Sequence, residues 1–198
     1  MPLKFRPLRC RALALACAGG LASALLCGCA AVAPRAAPPV AAEAAARSVA
    51  AKGRISATAT NERGSTQQLS GSFELSIDGD SGQLMLLTPL GSTVAVLGWS
   101  RDGALLKRAD GSVEAYASAQ HMIASTLGAP VAPAMLKAWL FGTPIDGVTV
   151  DSIGPGHFSQ LGWDVSFTRG DDGQVRRLLI SRSTPEPAEL RLVLDEVR

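Results

Sequence analysis

From Gly53 onward the hydrophobic side chains recur at every second residue, and a chain so patterned satisfies its backbone by pairing extended strands. In Leu69-Ser70-Gly71-Ser72-Phe73-Glu74-Leu75-Ser76-Ile77 the odd positions are apolar or Gly and the even ones polar, which gives a strand one dry face and one wet face. Asp78-Gly79-Asp80 then turns the chain. Leu84 to Leu87 and Val94 to Trp99 are further strands, separated by Thr88-Pro89-Leu90-Gly91-Ser92, where Pro89 and Gly91 fit a loop better than a ladder. Arg101-Asp102-Gly103 and Ala109-Asp110-Gly111 carry hairpin signals on Asp-Gly dipeptides. Alternation returns in Trp163 to Phe167, Val175 to Ser181 and Glu189 to Val197, punctuated by Gly170-Asp171-Asp172-Gly173 and by Pro185 and Pro187. The expectation is a mainly β domain of about nine to eleven strands, with a curved antiparallel sheet partly or fully closed into a barrel to limit open edges.

Two short helices interrupt the strands. Ser118 can cap the first, whose inward residues are Met122, Ile123 and Leu127 and whose stop is Gly128. The second takes Pro133 in its first turn, spaces Leu136, Trp139 and Leu140 by three and four, and stops at Gly142. At about three turns each, neither helix would persist alone, so their apolar faces must lie on the sheet or plug an opening in it.

All four cysteines, Cys10, Cys17, Cys27 and Cys29, fall in the first 29 residues, so the remainder holds no disulfide and no thiolate chemistry. Lys4, Arg6, Arg9 and Arg11 precede an apolar stretch from Ala12 to Leu26, the layout of a secretory signal rather than of a spanning helix. The junction Leu26-Cys27-Gly28-Cys29 resembles the lipobox of bacterial lipoproteins, which implies that residues 1–28 are removed and that Cys29 is acylated. Ala30 follows, not the Asp associated with inner-membrane retention in enteric lipoproteins, and this leans toward the outer membrane. Residues 29–47 have Pro34, Pro38 and Pro39 and almost no large side chain, the composition of a tether. The Ala run from Ala41 to Ala51 is equally compatible with a helix that docks on the domain. The folded domain is assigned to residues 48–198.

Charge and functional groups narrow the chemistry. Four of the 19 cations belong to the leader, leaving 15 against 17 acids, with no clustered basic face of the kind phosphate backbones require; nucleic acid is not an expected partner. His121 and His157 are the only histidines, too few at any recognisable spacing for a zinc site, and no G-x-S-x-G elbow places a nucleophilic serine. Asp171 and Asp172 occupy a turn, Asp195 and Glu196 a strand end, and no glycine-rich phosphate cradle is present. Neither an enzyme, a metal nor another cofactor is expected. What remains is apolar: many Leu, Val and Ile, few aromatic fillers, and helices able to cover one mouth. Such a sheet either encloses a greasy pocket or packs solid, and Leu90, between Pro and Gly, is either tucked in or presented.

Several segments taken in order resemble the outer-membrane lipoprotein receptor LolB family: Thr88-Pro89-Leu90-Gly91-Ser92-Thr93, Leu127-Gly128-Ala129-Pro130-Val131, Leu136-Lys137-Ala138-Trp139-Leu140-Phe141-Gly142-Thr143-Pro144, Gln160-Leu161-Gly162-Trp163 and Leu190-Arg191-Leu192-Val193-Leu194. The resemblance runs from about Gly53 to Val197. It implies an unclosed antiparallel barrel with a helical lid over an apolar cavity, without catalytic groups. It also implies acceptance of acylated lipoproteins from the soluble periplasmic carrier LolA and their insertion into the inner leaflet of the outer membrane. Leu90 would then be the loop residue that helps push cargo into lipid, and Leu136, Trp139, Leu140 and Trp163 the cavity or lid residues, either lining the space or packing beneath it. A monomer is the simplest form of such a device. The chain departs from the family at Gly71-Ser72-Phe73, where larger aromatics are common, and at Val197-Arg198, where a Trp often stands. A lipoprotein that binds another apolar ligand, or that scaffolds an envelope assembly, is the alternative of a different class.

Overall fold

The computed structural model describes residues 48–61 and 63–198. The signal segment, the acylation expected at Cys29 and the tether lie outside these residues. Eleven strands form one antiparallel sheet: β1 (Val49–Thr60), β2 (Thr66–Asp78), β3 (Ser81–Leu87), β4 (Thr93–Ser100), β5 (Gly103–Arg108), β6 (Val113–Tyr116), β7 (Ser152–Gly154), β8 (His157–Gln160), β9 (Trp163–Arg169), β10 (Val175–Arg182) and β11 (Ala188–Val197). Two helices, α1 (Ala119–Leu127) and α2 (Pro133–Trp139), fall between β6 and β7.

The strand order is β6-β5-β4-β3-β2-β1-β11-β10-β9-β8-β7. Two meanders therefore join where the first and last strands pair, with Ile55 opposite Leu192 and Ala57 opposite Leu190. The edges, β6 and β7, do not pair with each other, so the barrel is unclosed. Chain connectivity alone then places the helices: the only route from β6 to β7 is residues 117–151, and these must cross from one edge of the sheet to the other.

Period-two burial holds along the central strands. Val49, Ala51, Ile55, Ala57 and Ala59 of β1 point inward with Phe73, Leu75 and Ile77 of β2, while Lys52, Arg54 and Ser56 face solvent. Each inward Leu, Ile or Val removed from water contributes about 1.5–3 kcal/mol, which is what forces the register. β1 begins at Val49, four residues before the alternation becomes visible, because Val49-Ala50-Ala51 lacks the polar partner residues that mark a wet face. The docked-helix alternative fails for Val49 to Ala51, which are strand; its earlier residues lie outside the described region. At the other terminus Val197 is buried, and Arg198 exchanges both backbone hydrogen bonds with Ala50 at 2.7 and 2.9 Å.

Both helices are shorter than the three turns the spacing suggests, nine residues in α1 and seven in α2. In α1, Ser118 Oγ accepts from the His121 N–H at 3.2 Å, and Gly128, at φ +73°, closes the helix by donating to the Ala124 carbonyl. α2 starts from Ala132, which has no side chain to cap it. Its pitch ends at Leu140, after which Gly142 turns through φ +64°. His157 opens β8, directly after Gly154-Pro155-Gly156.

Candidate functional site

Sheet and helices share one buried apolar cluster. Met122, Ile123 and Leu127 of α1 and Leu136 and Trp139 of α2, followed by Leu140, are buried together with Leu97, Leu106, Phe158, Val165, Ile180 and Leu190 from the sheet. Trp139 is fully buried and meets Trp163 with ring centroids 6.3 Å apart, and the Arg182 guanidinium lies 4.9 Å over the Trp163 ring. Of the four residues expected at the cavity or lid, Leu136, Trp139 and Leu140 form the inward, buried face of α2 and its end, and Trp163 is buried on the sheet against Trp139.

An open cavity of about 670 Å³ lies on the other side of α2. Helical geometry divides the residues cleanly: Leu136, Trp139 and Leu140 form the inward stripe, while Pro133, Ala134, Lys137, Ala138 and Phe141 form a second stripe that walls the cavity. Ile77 of β2, the Gly79-Asp80 turn, Trp99 and Ser100 at the end of β4, and Ser118 to Gln120 at the start of α1 supply the opposite wall. Thr143 to Asp146, after α2, complete the rim. The lining is mostly hydrocarbon with a few polar groups, as in sites that hold apolar ligands.

Specific contacts fix these walls. Trp99 lies across Gly82 of β3, where even a β-carbon would collide with the indole ring. The end of the lid is held by Arg169, which donates to the Phe141 carbonyl at 2.9 Å and to the Gly173 carbonyl at 2.9 Å while stacking 5.0 Å over the Phe167 ring. Gly142 fits this junction because a β-carbon there would meet Phe167 and Arg169 at under 3 Å. Gln160, fully buried in β8, clamps the rim: its Oε1 accepts from the Ile145 N–H at 2.8 Å, and its Nε2 donates to the Ile145 and Val148 carbonyls at 2.9 and 3.0 Å. The Thr143 hydroxyl donates to the Ala138 carbonyl at 2.9 Å.

The loop carrying Leu90 belongs to the opposite end of the same strands. β3 leaves the cavity rim at Ser81 and reaches Leu87 six residues later, about 20 Å away at the strand rise. There Thr88 and Ser92 close the hairpin, with the Thr88 N–H donating to the Ser92 carbonyl at 2.8 Å and the Ser92 N–H to Thr88 Oγ1 at 3.1 Å. Pro89 and Gly91, at φ +84°, leave Leu90 at the tip with 95% of its surface in solvent. Of the two conformations open to a Leu between Pro and Gly, the structure takes the presented one.

A family model described as "Outer membrane lipoprotein LolB" matches residues 47–196. The chain belongs to the LolB family of outer-membrane lipoproteins. An outer-membrane lipoprotein LolB of Bordetella petrii is 36% identical over 82% of both chains. Proteins of the same name from Ralstonia nicotianae, at 32% identity over 89% of this chain and 93% of the relative, and from Neisseria meningitidis, at 30% over 76% and 74%, extend the likeness. The unclosed antiparallel sheet with two helices between its edges is consistent with LolB membership.

Phe141, Trp99, Ile145 and Lys137 were not singled out from the sequence as cavity residues, and neither was Gln160 as the clamp. One signal was available for the helix: Pro133 to Phe141 is apolar nearly all round, and a helix without a polar face is covered on both sides. Gln160, the last residue of β8, gave no such sign. Among the described residues no three of His, Cys, Asp and Glu gather to hold a metal ion, and no described helix is long and apolar enough to cross a membrane. His157 Nε2 faces Asp164 Oδ1 at 3.6 Å on the exposed side of the sheet.

Proposed function

We propose that this protein accepts acylated lipoproteins from a LolA-type periplasmic carrier and releases them into the inner leaflet of the outer membrane, without catalysing a chemical reaction. The observation that carries the reading is the pairing, within one LolB-family domain, of an apolar cavity under α2 with a bare leucine at the far end of β3 and β4. A cavity of about 670 Å³ is within the usual range for pockets that bury small apolar ligands, about 300–1,000 Å³. Moving acyl chains between two apolar pockets and a bilayer exchanges like for like, so differential affinity sets direction and neither nucleotide nor metal is required.

The anchor fits the same scheme. Acylation at Cys29 would tie the chain to the outer membrane, and several acyl chains on one residue hold durably where a single chain does not. The domain begins at Ser48, beside the cavity end, since Val49 pairs with Ile77. About 19 residues of tether extend at most ~65 Å, well beyond the length of the strands, so the domain can present either end to the bilayer. Leu90 would enter the lipid once cargo is bound.

Mixing the protein with a purified carrier–lipoprotein complex and then separating the two tests this. The expected result is cargo on the LolB-family chain and depleted carrier. Cargo that stays on the carrier while circular dichroism shows the β domain intact would overturn the reading.

A further inference from the structure

The cavity-facing stripe of α2 contains one ionic side chain. Lys137 lies between Ala134 and Phe141 on the helix surface, lines the cavity, and is only 9% exposed. Lysine is among the residues least often buried, because its ammonium must shed water to enter an apolar wall. A wall that served hydrocarbon alone would be better made with Leu or Met at this position, as the stripe's other members, Pro133, Ala134, Ala138 and Phe141, already show. The carboxylates on the lining are Asp80, engaged by Arg101 Nε at 2.6 Å, and Asp146 at the rim.

An acyl lipid is not hydrocarbon throughout. Where its chains meet the head, it presents ester or amide carbonyl oxygens, and an ester carbonyl can only accept hydrogen bonds. The complementary surface must therefore donate. Among the neutral donors on the lining, Gln120 Nε2 spends one N–H on the Pro130 carbonyl and the Thr143 hydroxyl donates to the Ala138 carbonyl. An ammonium carries three N–H donors and can serve a ligand oxygen alongside a protein partner. We propose that Lys137 is the polar anchor of the cavity, donating to the carbonyl oxygens at the junction between the acyl chains and the head of the bound lipid. The assignment rests on the reading of the cavity as an acyl site. It gives the site an orientation: chains lie along Trp99, Phe141 and Ile145, and the carbonyl junction stops at the middle of α2.

The test uses the full chain carrying Cys29→Ala, which removes the acylation point and lets binding be measured without detergent. Three probes are titrated: a synthetic peptide with a diacylglyceryl, N-acylated cysteine; dioleoyl phosphatidylcholine; and diphenylhexatriene, a hydrocarbon fluorophore with no hydrogen-bonding atom. Lys137→Met keeps the length and apolar stem of the side chain and is expected to weaken lipopeptide binding about tenfold while leaving the hydrocarbon probe unchanged. Lys137→Arg is expected to retain most of the lipopeptide affinity. A tenfold loss for the lipopeptide alone assigns the anchor to lipidated cysteine, and an equal loss for phosphatidylcholine assigns it to acyl carbonyls of any source. Unchanged lipopeptide binding by Lys137→Met, or an equal loss of the hydrocarbon probe, overturns the anchor while the acyl site stands. Failure of the parent protein to bind any of the three overturns the acyl-site reading and the anchor with it.

Discussion

The two ends of β3 and β4 expose apolar surface in opposite ways. At the Asp80 and Ser100 end, hydrocarbon is folded inward under a helix whose end is held by Arg169 and beside a rim clamped by Gln160, so the apolar wall is sheltered. At the Leu90 end a single leucine stands in solvent on a hairpin held by little more than its own backbone and Thr88. The first arrangement costs many ordered groups and yields a shaped, protected site. The second costs almost nothing in folding and leaves a side chain free to enter whatever apolar phase it meets. Under the proposed function, accepting a lipid and delivering it would make these two contrary demands, and the strands keep the two arrangements about 20 Å apart.

The contrast predicts unequal sensitivity to substitution. Trp139→Ala, which empties the packed layer beneath the cavity, should cost about 3–5 kcal/mol in urea unfolding. Trp139→Phe should cost far less, because the indole Nε1 is a buried donor with no partner among the described residues and its removal offsets part of the lost packing. Equal losses for the two variants would show that the layer does not depend on filled volume. Gln160→Leu strips the rim of its clamp and leaves the Ile145 and Val148 backbone groups to find other partners. A loss of about 2 kcal/mol is expected, with amide hydrogen exchange at Ile145 at least tenfold faster. Unaltered exchange there would mean that the rim is held by other contacts.

The Leu90 end should be nearly silent in the same experiments. Leu90→Glu removes no buried contact, and its unfolding midpoint should lie within about 0.5 kcal/mol of the parent. A large loss would place Leu90 in the fold rather than at the disposal of a partner phase. The smallest effect expected is on acid stability. Hydrogen bonding from Lys52 holds the Glu196 carboxyl below its ordinary range near the cavity end, and hydrogen bonding from Arg108 does the same for Glu114 near the other. Both pairs therefore help the fold at pH above the ordinary glutamate range and stop helping as pH falls through the depressed values. Both are solvent-exposed, so Glu196→Gln and Glu114→Gln should each flatten the acid limb of the stability curve only slightly and to a similar extent. A pronounced difference between them would show that one end is electrostatically tuned.

Legibility in the sequence follows from how locally each feature is encoded. The hairpins at Gly79, Gly103 and Gly111 were visible because turn chemistry and alternation are properties of adjacent residues. The short strands β7 and β8 were not individually visible: Gly154-Pro155-Gly156 interrupts them, and three or four residues are too few to show a period. The helices were placed correctly because one apolar stripe and a glycine stop define them. Which side of α2 meets open space was not encoded locally. Leu136 and Trp139, to which the resemblance left both lining and packing open, are the bulkier residues of the helix and are buried. The smaller stripe through Ala134 and Ala138 is what leaves room. Leu90 sits between Pro and Gly in either of its two possible conformations, and only the closed hairpin through Thr88 and Ser92 decides for exposure.

The most direct test of the division between the two ends follows cargo in time. Parent protein and Leu90→Glu, each anchored in liposomes of phosphatidylethanolamine and phosphatidylglycerol, are given a carrier loaded with acylated lipoprotein, and cargo is assayed on the carrier, on the protein and in the lipid. The account predicts equal departure from the carrier in both cases, with cargo reaching lipid in the parent and accumulating on the protein in the variant. Equal delivery by both, or cargo held back on the carrier by the variant alone, would contradict it.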